Sequence, residues 1–262
     1  MRILVTNDDG IESEGLHILA RAAEEEGHDV FVIAPNFDAS GTSSSLGPLS
    51  QQEEVTYREA KISGLSVPAL SINGPPALCV IVGHLEAFGE PPDLVLSGIN
   101  PGLNTGRSTL HSGTVGAVLT AQNFGSKGIA VSLHRENEEE AWQWDTAAQA
   151  MKPMLELLQS AKPKTGININ VPALSHERIK GNKWARLAPF GSQRSAVKKE
   201  PTGNAEALPA ATKVTKETTP SPRRAPSASA ASSQNGPQTA EQQRITTLEK
   251  QMADLAGNAM TS

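Results

Sequence analysis

Two adjacent carboxylates, Asp8 and Asp9, directly follow a short apolar run at the start of the chain. Their neighbours Asn7 and Gly10 favour a turn. An apolar run without alternation is typical of a strand buried on both faces of a parallel sheet, and such sheets bind ligands at the carboxyl ends of their strands. Neighbouring carboxylates repel each other, and a divalent cation would relieve that repulsion. The segment therefore indicates either a metal site or a polar turn between a strand and a helix.

A second candidate loop contains Ser40 and Gly41 and follows the second predicted strand. A serine hydroxyl can bind a metal or donate a hydrogen bond to phosphate, and a glycine lets the backbone approach a ligand. A flexible, serine-rich surface loop is the alternative interpretation of this segment.

A third loop carries Asn100 and Asn104, whose side-chain carbonyl oxygens are hard metal ligands. It leads through His111 to Ser112 and Thr114 at the start of a predicted helix. The free amides and the dipole of that helix end favour an anion, although Ser112 or Thr114 could equally serve only to cap the helix. His111 is as consistent with a packed or surface histidine as with a catalytic one.

All three loops follow strands of one predicted sheet, so we expect their polar groups around one cleft. Oxygen ligands without cysteine or clustered histidine favour Mg²⁺, Mn²⁺ or Ca²⁺ over zinc. A hard cation beside an anion site suits hydrolysis of a phosphate ester, because the cation neutralises phosphate oxygens and lowers the pKa of a bound water.

The elements that must position these loops alternate between strands and helices, which predicts an α/β fold with a mostly parallel sheet. The strands are predicted at 2–6, 29–34, 93–97, 128–133 and 166–171, and the helices at 13–26, 75–88, 114–124 and 139–159. Residues 54–60 and 67–73 resemble two short strands, arranged as a hairpin beside the main sheet. Pro153 is expected to kink or split the last helix.

Composition narrows the class of protein further. The 262-residue chain has 28 acidic against 23 basic residues, and this mild negative charge argues against a nucleic-acid partner. No stretch approaches the ~18 consecutive apolar residues of a membrane span, and the first strand begins at the amino terminus, so we expect a cytoplasmic protein without membrane contact. The one cysteine, Cys79, lies in an apolar run and is interpreted as a core residue.

The character of the chain changes near residue 196, where Pro, Ala, Ser, Thr and Lys begin to dominate. We therefore divide it into a folded domain over residues 1–195 and a disordered, low-complexity tail over 196–262. Within the tail, four apolar residues repeat at intervals of three and four in the segment 241–256, which predicts a short helix there.

Five segments resemble the SurE survival-protein family of metal-dependent nucleoside monophosphate phosphatases. They are Ile3–Gly10, Ala34–Pro35 with Ser40–Gly41, Ser97–Asn100 with Gly102 and Asn104, His111–Gly116, and Asn168–Pro172. The resemblance covers roughly residues 1–195, and the first, third and fourth segments together are highly specific.

The resemblance implies a three-layer, Rossmann-like core and an enzyme that releases phosphate from nucleoside 5′-monophosphates, in some members also from 3′-monophosphates or short polyphosphate. It implies one divalent ion, Mg²⁺ or Mn²⁺, per subunit, and a homodimer or homotetramer. Asp8 and Asp9 would be catalytic, one binding metal and the other orienting or deprotonating the attacking water. The implied metal ligands are Asp8, Asp9, Ser40 and Asn100. The implied phosphate-binding residues are Gly41, Asn104, Ser112, Gly113 and Thr114.

The chain departs from the family pattern in two places. The family often has a histidine where this chain has Ser43–Ser45, and His111 could take over its role. After Trp184–Gly191 the resemblance stops, so we expect the family's C-terminal arm, which builds dimers and tetramers, to be missing. The alternative to an active enzyme is therefore a weak or inactive nucleotide-binding member of the family.

Other classes fit the sequence less well. A phosphoacceptor signalling domain needs an aspartate after the third main strand, where this chain has Ser97 and Gly98. Haloacid-dehalogenase-type phosphatases need the pattern Asp-x-Asp, and dinucleotide-binding oxidoreductases need a G-x-G-x-x-G turn after the first strand.

Overall fold

The computed structural model describes residues 1–47, 54–85 and 89–188. The strands are β1 (Arg2–Thr6), β2 (Asp29–Pro35), β3 (Tyr57–Glu59), β4 (Ala69–Ile72), β5 (Leu94–Pro101), β6 (Lys127–His134) and β7 (Gly166–Pro172). The helices are α1 (Glu14–Glu25), α2 (Pro76–Gly83), α3 (Gly113–Asn123) and α4 (Trp144–Ser160). The five main strands predicted from the sequence are confirmed.

The seven strands form one sheet in the order β3-β4-β2-β1-β5-β6-β7. Every pair is parallel except β3 with β4 at the edge. The two short predicted strands therefore do form an antiparallel pair, but β4 also pairs with β2. The pair thus extends the main sheet rather than lying beside it.

Helices cover both faces of the sheet. On one face, Leu16 and Leu19 of α1 and Met151 of α4 belong to the same buried cluster. On the other face, Leu78 of α2 and Ala121 of α3 pack in a second cluster. The result is the predicted three-layer, Rossmann-like architecture, in which β1 and β5 are buried from both sides.

Two helices differ from their predicted extents. Helix α4 begins at Trp144 rather than near residue 139, and it runs through Pro153 without being split. A proline inside a helix removes one backbone hydrogen bond, and packing of the apolar face of α4 against the sheet is sufficient to keep this helix continuous. Helix α2 ends at Gly83, and residues 86–88 of the predicted helix lie outside the described residues.

Three further predictions concern the cysteine, membrane-spanning helices and the C-terminal tail. Cys79 is fully buried, as expected, and burial raises the pKa of its thiol. In the part of the chain that the structure describes, no helix is long and apolar enough to cross a membrane. The predicted disordered tail at 196–262 and its short helix at 241–256 lie outside the described residues.

Candidate active site

The predicted site residues gather where the strand order reverses. Strand β1 lies between β2 and β5, and the chain builds one half of the sheet on each side of it. Thr6, the last residue of β1, is in register with Ser97 of β5. Ligands of doubly wound sheets bind in the crevice at this switch point, beyond the carboxyl ends of the strands. Asp8 and Asp9 follow β1 directly at this place.

The turn after β1 is fixed by the side chain of Asn7. Its Nδ2 donates to the carbonyl of Gly10 at 3.0 Å and to the hydroxyl of Ser13 at 2.6 Å. Ser13 also caps α1, accepting from the amide of Leu16. Gly10 has a φ of +100°, a conformation that favours glycine. The two carboxylates are therefore held between a strand end and a capped helix.

Asp8 is buried, with 3% of its surface exposed, and it lies against the first turn of α3. Its Oδ1 accepts a 2.7 Å hydrogen bond from the hydroxyl of Thr114. A Cβ on Gly113 would lie only 2.9 Å from Asp8 Oδ2, so this approach requires glycine. Burial raises the pKa of Asp8, and hydrogen bonds from Thr114 and Gly113 oppose that rise. The Asp8 carboxylate thus lies beside the helix end that the sequence suggested for an anion and accepts from part of it.

Asp9 has the most perturbed carboxyl group of the site. Burial, then the charge of Asp8, then the charge of Asp38 raise its pKa from 3.8 to about 7. Its Oδ2 is buried and has no hydrogen-bond partner. A buried carboxylate oxygen without a donor is costly, and a cation or a proton would stabilise it.

The serine loop (residues 38–46) begins beside these carboxylates. The amide of Ala39 donates to the backbone carbonyl of Asp8 at 2.7 Å. Ser40 is exposed, and both its hydroxyl and its amide donate to Asp38 Oδ1, at 2.6 and 2.9 Å. The same bonds lower the pKa of Asp38. Ser40 is therefore oriented by a third carboxylate that the sequence analysis did not single out.

The serine loop also docks onto α3. The amide of Ser43 donates to the carbonyl of His111 at 3.2 Å, and the hydroxyl of Ser44 donates to the carbonyl of Gly116 at 3.3 Å. A Cβ on Gly116 would collide with the carbonyl of Ser43. Gly41 has a φ of +82° and open space beside its Cα. Direct contact therefore joins the second and third predicted loops.

Asn100 and Asn104 have different environments within the third loop. Asn100 is half-buried at the end of β5, and its Nδ2 donates to the carbonyl of Gly102 at 2.7 Å. Asn104 is buried, and its Nδ2 donates to Ser132 at 3.0 Å and to Thr114 at 3.4 Å. Both hydrogens of the Asn104 amide are thus used within the protein.

Ser112 caps α3, because its hydroxyl accepts from the amide of Val115 at 3.1 Å. Capping, which the sequence left open, is thus one role of this residue. His111 is exposed just before the cap.

The structure brings Asp8, Gly113 and Thr114 into direct contact, and Asn104 joins them through Thr114. Ser40 is linked to this group through the neighbouring Asp38 and Ala39 rather than by its own side chain. Sequence reasoning missed Asp38, and it did not assign Ser132 or Asn170, which bond to Asn104, to the site. Asp38 had a local signal, since an aspartate two residues before a serine favours a side-chain turn.

The donor set fits a hard cation. It consists of oxygen atoms, and one of them, Asp9 Oδ2, is buried without a partner. Among the described residues, no three His, Cys, Asp or Glu side chains cluster as a metal site. A cation here would therefore take a hydroxyl or an amide oxygen beside the two carboxylates.

Comparison with known proteins gives matches over this same region. The family model "Survival protein SurE" matches residues 3–194. A 5′-nucleotidase SurE of Methanopyrus kandleri is 40% identical over 179 residues, which are 66% of this chain and 66% of that protein. A 5′-nucleotidase SurE of Xanthomonas campestris is 36% identical over 189 residues, covering 71% of this chain and 70% of the relative. The chain therefore spans about two thirds of the length of these relatives.

A solved structure gives the same match in three dimensions. The crystal structure of a SurE protein from Aquifex aeolicus superimposes with a TM-score of 0.59 at 32% identity. The match covers 70% of this chain and 71% of that chain.

Proposed function

The chain belongs to the SurE family of 5′-nucleotidases, as its sequence motifs indicated, and on that premise we propose that it is a metal-dependent phosphohydrolase. Its substrates are nucleoside 5′-monophosphates, with 3′-monophosphates as a second class. The observation that carries the proposal is the pair of buried Asp8 and half-buried Asp9 at the switch point of the sheet, with Asp9 Oδ2 buried and unpartnered.

Asp8, Asp9, Ser40 and Asn100 are the residues that would hold one Mg²⁺ or Mn²⁺ ion. When bound, such an ion neutralises phosphate oxygens and lowers the pKa of a water molecule. Asp38 accepts the hydrogen bond that the Ser40 hydroxyl donates, so the lone pairs of Ser40 Oγ stay available to a cation. Asn100 donates through Nδ2 to Gly102, which leaves its Oδ1 as the metal-binding atom.

The two aspartates have different environments and are suited to different roles. Thr114 and the first turn of α3 donate to Asp8, which offsets part of the rise in its pKa that burial causes and fixes its orientation. Asp9 has a pKa of about 7, so its carboxylate can accept a proton near neutral pH. We therefore assign Asp8 to metal binding, and Asp9 both to the metal site and to taking the proton of the attacking water.

Phosphate is bound by backbone groups in this proposal. Gly41 has open space beside it, and the segment from Ser112 to Thr114 forms the amino-terminal end of α3. Backbone amides of this kind favour a dianion. Both amide hydrogens of Asn104 are used by Thr114 and Ser132. The side chain of Asn104 therefore holds Thr114 in place instead of donating to the phosphate.

The test is phosphate release from a panel of nucleoside 5′- and 3′-monophosphates with Mg²⁺, Mn²⁺ or EDTA. Asp8→Asn should keep the fold and lose most metal affinity and turnover, because a charged ligand is removed. Asp145→Asn, an exposed aspartate in the first turn of α4, is the matched control and should behave as wild type. Normal AMP hydrolysis by Asp8→Asn would contradict the metal site. Nucleotide binding without release would favour the inactive alternative.

Assembly into a homodimer or homotetramer is a separate proposal. Leu110 and Leu119 are 70% and 52% exposed near the start and on the outer side of α3. Leu110 ends a short 3₁₀ helix before α3 and Leu119 lies on α3, and exposed leucines on these neighbouring elements support burial against another subunit. Light scattering of the full-length chain gives the mass of the assembly directly, and a monomeric mass of 27.6 kDa would contradict the proposal.

A further inference from the structure

Two asparagines of β7 hold the backbone of Asn104 from a neighbouring part of the sheet. Asn170 makes a two-point contact, since its Oδ1 accepts from the Asn104 amide at 2.8 Å and its Nδ2 donates to the Asn104 carbonyl at 3.1 Å. Asn168 Nδ2 donates to the same carbonyl at 2.8 Å. Three hydrogen bonds from one strand thus fix the position of one loop residue.

The spacing and the type of these residues suit this contact. Residues two apart in a strand point to the same face, so Asn168 and Asn170 reach the same carbonyl. A side-chain amide offers both a donor and an acceptor, and it can therefore pair with the backbone N–H and C=O of one residue, as a residue of another strand would. A carboxylate or a hydroxyl cannot make the same two-point contact with Asn104.

The chain of hydrogen bonds continues from Asn104 to the candidate metal ligand. Asn104 Nδ2 donates to Ser132 at 3.0 Å and to Thr114 Oγ1 at 3.4 Å, and Thr114 donates to Asp8 Oδ1 at 2.7 Å. An ionised carboxylate only accepts, so the single hydroxyl proton of Thr114 must point to Asp8. The Thr114 oxygen is then free to accept from Asn104. Every bond in the chain therefore has a defined direction.

We propose that Asn170, assisted by Asn168, is a positioning residue that sets the orientation of the Asp8 carboxylate through Asn104 and Thr114. The inference rests on the proposed function, in which Asp8 binds the metal. A group that bonds directly to a metal ligand affects metal affinity by roughly 10- to 100-fold. Here that group is Thr114, which Asn170 positions through Asn104. Asn170 acts from β7, which is three strands away from β1 in the sheet.

The first measurement follows the network without metal or substrate. Backbone amide resonances of Asp8 and Thr114 are recorded for full-length wild type, Asn170→Ala and Asn168→Ala in EDTA. Asn170→Ala should shift both resonances, and Asn168→Ala should shift them less, because it removes one bond instead of two. Asn137→Ala is the control, since Asn137 is exposed and bonds only locally, to Glu140. It should leave both resonances in place.

The second measurement is the Kd for Mn²⁺, determined by titration on the same four proteins. Asn170→Ala should weaken Mn²⁺ binding by about 10-fold, and Asn168→Ala by less. A purely structural role would lower the melting temperature and leave the Kd of the folded protein at its wild-type value. The Kd therefore separates positioning from general stabilisation.

Two results would overturn the inference. One is wild-type resonances of Asp8 and Thr114 in Asn170→Ala, and the other is an unchanged Mn²⁺ Kd. If Asn170→Ala does not fold, Asn168→Ala at its exposed position gives the same test, and unshifted resonances there would have the same meaning. Neither measurement uses a substrate, so both test the positioning role separately from the reaction. Absence of phosphate release by wild type would instead contradict the proposed function.

Discussion

Thr114 in the first turn of α3 donates a 2.7 Å hydrogen bond to Oδ1 of Asp8, which follows β1. The two residues are 106 positions apart in sequence, and both are buried. This bond joins α3, the helix that follows the third loop, to the carboxylate that follows β1. The orientation of the candidate metal ligand therefore depends on where α3 begins.

Replacing Thr114 with valine tests this relationship, because valine keeps the shape and removes the hydroxyl. We expect a loss of about 1.5–3 kcal/mol in the free energy of unfolding, the range for a buried hydrogen bond to a charged group. Mn²⁺ affinity should fall as well, since the Asp8 carboxylate loses its fixed orientation. Urea unfolding and Mn²⁺ titration measure the two effects. Thr114→Ser retains the hydroxyl and should recover most of the affinity.

The raised pKa of Asp9 predicts how the stability of the metal-free protein depends on pH. The pKa is 3.8 in the ordinary carboxyl and about 7 in the folded protein, so folding favours the protonated form. The stabilisation is fully present below pH 3.8 and is lost as the pH rises through about 7. The melting temperature in EDTA should therefore fall between about pH 5 and about pH 8.

Comparison with Asp9→Asn isolates this contribution, because asparagine does not titrate. The variant should show a flatter pH profile than wild type over the same range. Mn²⁺ should raise the melting temperature of wild type more at about pH 8 than at about pH 5, because below the pKa the cation must displace a proton. A pH profile that is identical in wild type and Asp9→Asn would contradict the assigned pKa.

Asp38→Asn separates the charge of Asp38 from its hydrogen bonds. The charge contributes to the raised pKa of Asp9, so its removal should lower the pH midpoint of the Asp9-dependent change. Asparagine Oδ1 can still accept from the amide and the hydroxyl of Ser40, so the serine loop should keep its conformation. The midpoint is read from the same melting experiments. A midpoint at the wild-type pH would show that the charge of Asp38 does not reach Asp9.

Most of the sheet could be predicted because buried parallel strands have a strong local signal, namely short, unalternating apolar runs. The start of α4 could not be predicted from the sequence, because the acidic residues before Trp144 are good helix formers and suggest an earlier start. In the structure the guanidinium of Arg135 donates to the carbonyls of Glu138 and Glu140, at 3.0 and 2.8 Å. It also lies 4.0 Å from the ring centroid of Trp142. These side-chain contacts hold the segment in a turn, and local helix propensity does not include them.

In the candidate site, too, some residues have a local sequence signal and others depend on contacts between distant parts of the chain. Asp8, Asp9 and Thr114 were identified because they adjoin strand and helix ends, which the sequence reveals. The role of Asn170 could not be predicted, because its contact with Asn104 depends on the order of strands in the sheet. Sequence spacing gives no measure of such a distance, since the two residues are 66 positions apart.

Gly116 provides the last prediction, because the serine loop crosses α3 at this residue. A Cβ there would collide with the carbonyl of Ser43 and lie 2.8 Å from the amide of Ser44, so Gly116→Ala should displace the loop that carries Ser40. The helix itself should not weaken, since alanine favours a helix over glycine by about 1 kcal/mol. We expect a raised KM and weaker Mn²⁺ binding with a nearly unchanged melting temperature. Asn123→Ala, at the exposed end of the same helix, is the control. Wild-type KM and Kd in Gly116→Ala would mean that the loop position does not matter for the site.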